Sequence, residues 1–169
     1  MATGMAIRLW TAGFSPAAVL GTVNSTLRIH GAEERLATLD VVTVNTHTGR
    51  LDNYKAGAAT TLLCSGGRVS RLDRPGLPVG ILAEVAFEHS HDQLEDGDVL
   101  LMVSDGALSG GVAAIEELLR DHPAHGSMAD LARAVCDAAR DAEDGHSDDV
   151  TAVALRITRR RGIVHNPSI

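Results

Sequence analysis

Aromatic residues are scarce, only 2% of the chain, so any core must be filled by Val, Leu, Ile and Ala. Lysine is nearly absent: Lys55 is the only one, and every other basic residue is arginine. This reads as genomic codon bias with no functional content. Cysteine is confined to Cys64 and Cys136, far apart and outside any CxxC or Cys/His pattern. That argues against a zinc site and predicts two buried free thiols in a reducing compartment. No apolar run approaches membrane-spanning length and no signal-peptide pattern opens the chain. The expectation is a cytoplasmic protein without a transmembrane segment. A Walker-type strand–glycine loop–helix and a GxGxxG fingerprint are both missing, which weakens nucleotide-binding readings. Positive charge is also in deficit. A net charge of −7 disfavours nucleic acid or an anionic membrane as partner, yet suits a site built from carboxylates. There is no internal repeat and no low-complexity segment.

What remains is enough for one domain, since 169 residues can bury a proper core. The expected division is a domain over 1–158 and a flexible, basic then Pro-containing tail over 159–169. Residues 2–12 read as a helix that begins abruptly, with Met5, Ile7, Leu9 and Trp10 as apolar surface. Ser15-Pro16 opens a second helix, Ser as N-cap and Pro at the first helical position. Val19, Val23 and Leu27 give that helix one apolar stripe, and Gly31 is expected to end it.

Strands come next. Ala37–Asn45 and Arg50–Lys55 flank His47-Thr48-Gly49 as a hairpin. Thr60–Cys64 and Arg68–Leu72 flank Gly66-Gly67 as a second. A rigid loop carrying Pro75, Gly76, Pro78 and Gly80 surrounds Leu77–Leu82, Glu84–Ser90 is a further strand, and Val99–Val103 reads as a strand buried on both faces. After Gly106 the period turns helical, over Val112–Arg120 and over Ser127–Asp141. Ser127 and Asp130 form a capping-box variant, and Met128, Leu131, Ala132, Val135 and Ala139 line one face. An acidic loop, Asp141–Asp149, feeds a last strand, Val150–Ile157. Helices, sequential strands with short turns, helices and a strand describe an α+β sandwich of antiparallel sheets better than a parallel α/β sheet.

Two acidic strand ends carry the chemistry. Asp105 stands where the Val99–Val103 strand leaves the core, and Gly106 lets the backbone turn. Taken alone, Ser104-Asp105-Gly106 is an ordinary turn. A carboxylate at a strand end is also held rigidly while facing a cleft, as a metal ligand must be. Asp148-Asp149 precede the last strand. If the two strands are antiparallel neighbours, Asp105 and Asp148 converge at one sheet edge. Their mutual repulsion would then be relieved by a hard divalent ion such as Mg²⁺ or Mn²⁺; solvated turn acids are the alternative. His89 and His91, two apart beside a strand, read as a solvated edge. His146 lies near Asp148 in the acidic loop, and Arg159-Arg160-Arg161 reads as solvated.

Ser104-Asp105-Gly106 after an apolar strand, with Asp148-Asp149-Val150-Thr151 before the last one, resembles the metal-dependent PPM (type 2C) protein serine/threonine phosphatases. LATLDVVTVNTHTGRLDNYKAGAAT (Leu36–Thr60), LPVGIL (Leu77–Leu82), LEDGDVLLMVSDG (Leu94–Gly106) and DDVTAVALRI (Asp148–Ile157) narrow the resemblance to the stage II sporulation protein E (SpoIIE) branch. It runs from about residue 5 to residue 157. The resemblance implies a PPM-type αββα sandwich of two antiparallel sheets flanked by helices. It also implies a pair of Mn²⁺ or Mg²⁺ ions in a carboxylate cleft, and in-line attack of a metal-activated water on phosphoserine or phosphothreonine without a phosphoenzyme. Asp105 and Asp148 match metal ligands of the family motifs, with Gly106, Asp149 and Thr151 in support. The implied partner is a phosphoprotein substrate such as an anti-anti-sigma factor.

One family feature has no counterpart in this sequence. The upstream DGMGxG motif, whose aspartate bridges the two metals, is missing, as is an earlier acidic position. The expectation is therefore an N-terminally incomplete fold holding at most one partial metal site, with sheet edges and apolar faces uncovered. Three explanations stand: a truncated enzyme, a non-catalytic phosphoprotein-binding remnant, or a half-site completed by a second chain or a swapped copy, including a homodimer.

Overall fold

Asn45 and Gly49 set the first strand pairing. The Asn45 side chain accepts hydrogen bonds from the amides of His47 and Thr48, both at 3.0 Å. Gly49 has φ +78°, and a Cβ there would lie 2.6 Å from the Leu94 carbonyl oxygen, so only glycine fits. The turn joins β1 (Leu39–Val44) to β2 (Arg50–Ala56) in an antiparallel register from Val44↔Leu51 to Leu39↔Ala56.

In this computed structural model the described residues are 2–30, 36–73, 76–83, 87–142 and 148–159. The expectations placed on Gly31, Pro75, His146 and the tail beyond Arg159 lie outside them. The remaining strands are β3 (Thr61–Ser65), β4 (Arg68–Arg71), β5 (Glu88–Gln93), β6 (Val99–Val103) and β7 (Ala152–Arg156). They form two antiparallel sheets, in the orders β1-β2-β5 and β4-β3-β6-β7. The helices are α1 (Ala2–Thr11), α2 (Pro16–His30), α3 (Val112–Asp121) and α4 (Met128–Asp141), with a short 3₁₀ turn over Asp105–Leu108. The expected α+β sandwich is thus observed.

Side-chain alternation along β6 explains the layers. Val99 and Leu101 point toward α3 and α4, where Leu62, Ala107, Ile115, Leu119, Leu131 and Val135 complete an apolar cluster. Leu100 points the other way and meets Leu51, Leu63 and Leu94 between the sheets. On the far side, α2 packs Val23 against Ala56 and Val79, flanked by Met5, Ala6, Leu27 and Leu39. The order is helix layer, sheet, sheet, helix layer.

The helix starts obey their caps. Ser15 Oγ accepts from the amide of Ala18 at 3.4 Å, and Ser127 Oγ from that of Asp130 at 3.4 Å. Asn24 of α2 holds the loop after β4: its side chain donates to the carbonyls of Leu82 and Ala83 and accepts from the Gly80 amide.

Three expectations are corrected. The strand expected over Glu84–Ser90 is β5 at Glu88–Gln93, because pairing with β2 runs from Lys55↔Glu88 to Arg50↔Gln93; residues 84–86 lie outside the described set. The last strand begins at Ala152 rather than Val150, since Ser104 captures the backbone of Thr151. Cys64 and Cys136 are free but only half-buried, being at the margins of the α3/α4 layer rather than in its centre.

Candidate active site at the edges of the sheets

Pairing of β6 with β7 ends at Val103↔Ala152. The loop leaving β6 and the loop entering β7 therefore emerge side by side. Ser104 ties the two together. Its amide donates to the Thr151 carbonyl at 3.0 Å, and its hydroxyl donates to the Asp149 carbonyl at 3.1 Å. The same hydroxyl oxygen accepts from the Thr151 amide at 2.9 Å. Asp105 comes next and opens the 3₁₀ turn, its Oδ1 accepting from the Gly106 amide at 3.2 Å. Asp148 accepts in the same way from the Asp149 amide, at 2.8 Å.

Gly106 is buried against this second loop. A Cβ on it would fall 2.7 Å from the Asp149 carbonyl oxygen and 3.3 Å from Asp148 Cβ. The glycine is needed here for close approach of two backbones, and no unusual dihedral is involved. The structure thus brings Asp105, Gly106, Asp148, Asp149 and Thr151 together, with Asp105, Asp148, Asp149 and Thr151 exposed. The convergence expected from antiparallel neighbours is observed.

Asp105 faces a cleft of about 370 Å³ between the sheet edges, lined also by Thr38, Asp40, Ala59, Ser104, Thr151 and Val153. The opposite wall was not foreseen from the sequence. Asp40 and Lys55 are directly paired across β1 and β2, and their side chains point inward between the sheets. Lys55 is 1% exposed. Its ammonium group donates to Asp40 Oδ2 at 2.6 Å, to the Ala59 carbonyl at 2.5 Å and to Thr61 Oγ1 at 2.9 Å. Thr61 in turn donates to Asp40 Oδ2, and Asn53 Nδ2 donates to Asp40 Oδ1 at 2.7 Å. The only lysine, read from the sequence as without functional content, is thus a buried ion that ties β1, β2, β3 and the 57–60 connection together.

Two features limit the chemistry. Among the described residues, no group of three or more His, Cys, Asp and Glu side chains is placed to hold a metal ion. Burial pushes the Cys64 thiol up from its ordinary range, which disfavours the thiolate form. His89 and His91 stand on the exposed edge strand β5, as expected. His89 stacks on Tyr54 with centroids 4.5 Å apart, and its Nε2 lies 2.9 Å from Asp52 Oδ1. Both histidines lie outside the residues that line the cleft.

Asp105 lines the cleft and Asp148 stands on the adjoining loop outside its lining; both offer hard carboxylate oxygens, the donor type that Mg²⁺ and Mn²⁺ prefer. Such ions are commonly held by one or two carboxylates, with waters and phosphate oxygens completing the shell. The close approach enforced at Gly106 brings two carboxylate-bearing loops into contact.

Two antiparallel sheets flanked by helices are the architecture of PP2C phosphatase domains. The structure superposes on the PP2C phosphatase domain with a fragment of the regulatory domain of the cell-fate determinant SpoIIE from Bacillus subtilis. The TM-score is 0.82 at 22% identity, over 93% of this chain and 49% of that one. A manganese-presoaked form of the B. subtilis SpoIIE phosphatase domain gives a TM-score of 0.66 at 22% identity, over 94% and 72%. These likenesses establish the fold. In sequence, stage II sporulation protein E of B. subtilis strain 168 is 28% identical over 103 residues, 61% of this chain but 12% of that protein. The chain therefore spans a small part of this relative's length. The family model for stage II sporulation protein E (SpoIIE) matches residues 1–158, and the chain belongs to that family.

Proposed function

We propose that this chain serves a metal-dependent phosphoserine/phosphothreonine phosphatase of the SpoIIE type, with Asp105 and Asp148 holding one Mn²⁺ or Mg²⁺. The observation that carries the reading is the Ser104 stitch, which joins the two acid-bearing loops at one end of the cleft. When bound, the ion supplies an activated water and neutralises phosphate charge. The chain's own residues fix the geometry. Gly106 admits the second loop, the Asp149 carbonyl accepts from Ser104, and the Thr151 amide holds the Ser104 hydroxyl in place. By family resemblance the substrate is a phosphoprotein of the anti-anti-sigma type in the cytoplasm. No helix among the described residues is long and apolar enough to cross a membrane.

A second reading has its own observation. Among the described residues β1 and β7 are edge strands, and both border the cleft. Val153 and Leu155 on β7 are 46% and 44% exposed, although they face the side of the sheet that elsewhere is covered. Such an edge accepts a further strand, from the same polypeptide or a second copy, as in a homodimer. Completed in this way the site gains ligands; left as it is, the chain is a phosphoprotein-binding module with little turnover.

The test is Mn²⁺-dependent phosphate release from a phosphoserine peptide. It is measured on the chain alone and on the chain joined to the part of the B. subtilis SpoIIE phosphatase domain that it leaves uncovered. The joined protein is expected to turn over and the chain alone to be nearly inactive. Asp105→Ala or Asp148→Ala should abolish turnover in the joined protein, and activity surviving either change would refute the assignment.

A further inference from the structure

The sole lysine calls for an explanation that stability does not provide. Removing two opposite charges from water costs several kcal/mol per ion, and apolar replacements of buried pairs are often neutral or stabilising. The Asp40–Lys55 pair nevertheless sits between the sheets, with all three ammonium protons committed. Its position is informative. Asp40 lines the same cleft as Asp105. Lys55 also holds the carbonyl of Ala59, another lining residue. Thr61 joins the network to β3, where it lies opposite Met102 of β6, three positions before Asp105.

The carboxylate of Asp40 is fixed from three directions. Oδ2 accepts from Lys55 and Thr61, and Oδ1 accepts from Asn53. A carboxylate offers about four acceptor sites, so one remains on Oδ1. Its side chain is 13% exposed. Asp40 thus lines the cleft with one acceptor site on Oδ1 unused, while the adjacent ammonium group balances its charge. A bare third carboxylate near Asp105 and Asp148 would add repulsion; one balanced by a buried lysine adds an oriented acceptor without that cost.

We infer that Asp40, held by Lys55, is a positioning residue of the cleft, accepting hydrogen bonds from water retained by a divalent cation at Asp105 and Asp148. Outer-shell partners of this kind tune affinity by about 10- to 100-fold. The inference rests on the proposed cation at Asp105 and Asp148, and the experiment separates the two.

Mg²⁺ is titrated into the ¹⁵N-labelled chain and followed by the amide shifts of Gly106 and Thr151, with urea midpoints measured in parallel. The parent should show a saturable shift and Asp105→Asn none. Asp40→Asn should weaken Mg²⁺ binding about tenfold or more. The double variant Asp40→Leu/Lys55→Met should do the same while keeping a urea midpoint at or above the parent's. Weakened binding at an undiminished midpoint is an outcome that a merely structural pair would not produce. If Asp40→Asn or the double variant binds Mg²⁺ with the parent's affinity while Asp105→Asn does not, the inference is overturned and the cation reading stands. If the parent itself shows no saturable shift, the cation reading falls and takes the inference with it.

Discussion

The two helix layers of the sandwich cover their sheets unequally. Over the four-stranded sheet, α3 and α4 close on eight buried residues, Leu62 through Val135, with a wide margin of partly buried ones. Over the three-stranded sheet, the buried apolar residues among those described are Val19, Leu20, Val23, Ala56 and Val79. There α1 leaves a groove between Trp10 and β1, and Ile7 is 61% exposed. The difference falls across the cleft. Asp105 and Asp148 belong to the tightly packed half through β6 and β7. Asp40 belongs to the three-stranded sheet, and its side chain is held between the sheets by the buried ion pair with Lys55. One wall of the site is fixed by packing and the other by polar cross-links.

Substitutions test that asymmetry. The largest effect is expected from Leu101→Ala, which empties the centre of the tight layer and should lower stability by about 3 kcal/mol in urea unfolding. Ile7→Ala in the loose layer should change it by less than about 0.5 kcal/mol; equal losses would dissolve the distinction. Next comes Gly106→Ala. Its Cβ would meet the Asp149 carbonyl at 2.7 Å, a contact with backbone that cannot rotate away. Overpacking of this sort costs about 1–3 kcal/mol, and the amide shift of Thr151 should move with it. An unchanged Thr151 resonance would mean that the loops are not in contact.

The smallest effect concerns acid. A hydrogen bond from Arg50 holds the Asp52 carboxyl below its ordinary range, with a further contribution from His89. A depressed carboxylate contributes stability that is fully present above the unfolded-state value, about pH 3.9. That stability is lost as pH falls through the folded value. Asp52→Asn should therefore cost a small amount of stability at pH 7, a difference that shrinks as pH falls below about 4 and so flattens the acid limb. An acid limb identical to the parent's would show that this exposed cluster adds nothing, as many surface pairs do.

How far the sequence could be read depends on the range of each interaction. The β1–β2 hairpin was legible because its turn is local, with Asn45 and Gly49 serving their own backbone. Asp105 and Asp148 were legible for a related reason: each ends or precedes an apolar strand, and antiparallel pairing of those strands brings them together. The β2–β5 and β3–β6 pairings join segments nearly forty residues apart, and no turn specifies them. The Asp40–Lys55 pair is not legible where lysine's scarcity is read only as codon bias. Along β2, burial falls on Leu51, Asn53 and Lys55 regardless of polarity. The signal was present. Once Val44 faces Leu51, counting back along the hairpin puts Asp40 opposite Lys55, on the same inward face as Leu51.

The central claim is that Asp105 and Asp148 share one cation, and a double-mutant cycle on Mn²⁺ affinity tests it most directly. Asp105→Asn, Asp148→Asn and the double variant are compared with the parent by Mn²⁺ electron paramagnetic resonance titration. The account predicts that either single change removes most of the binding and that the second adds little, the coupling expected of ligands to one ion. Parental affinity in either single variant, or losses that simply add, would contradict it.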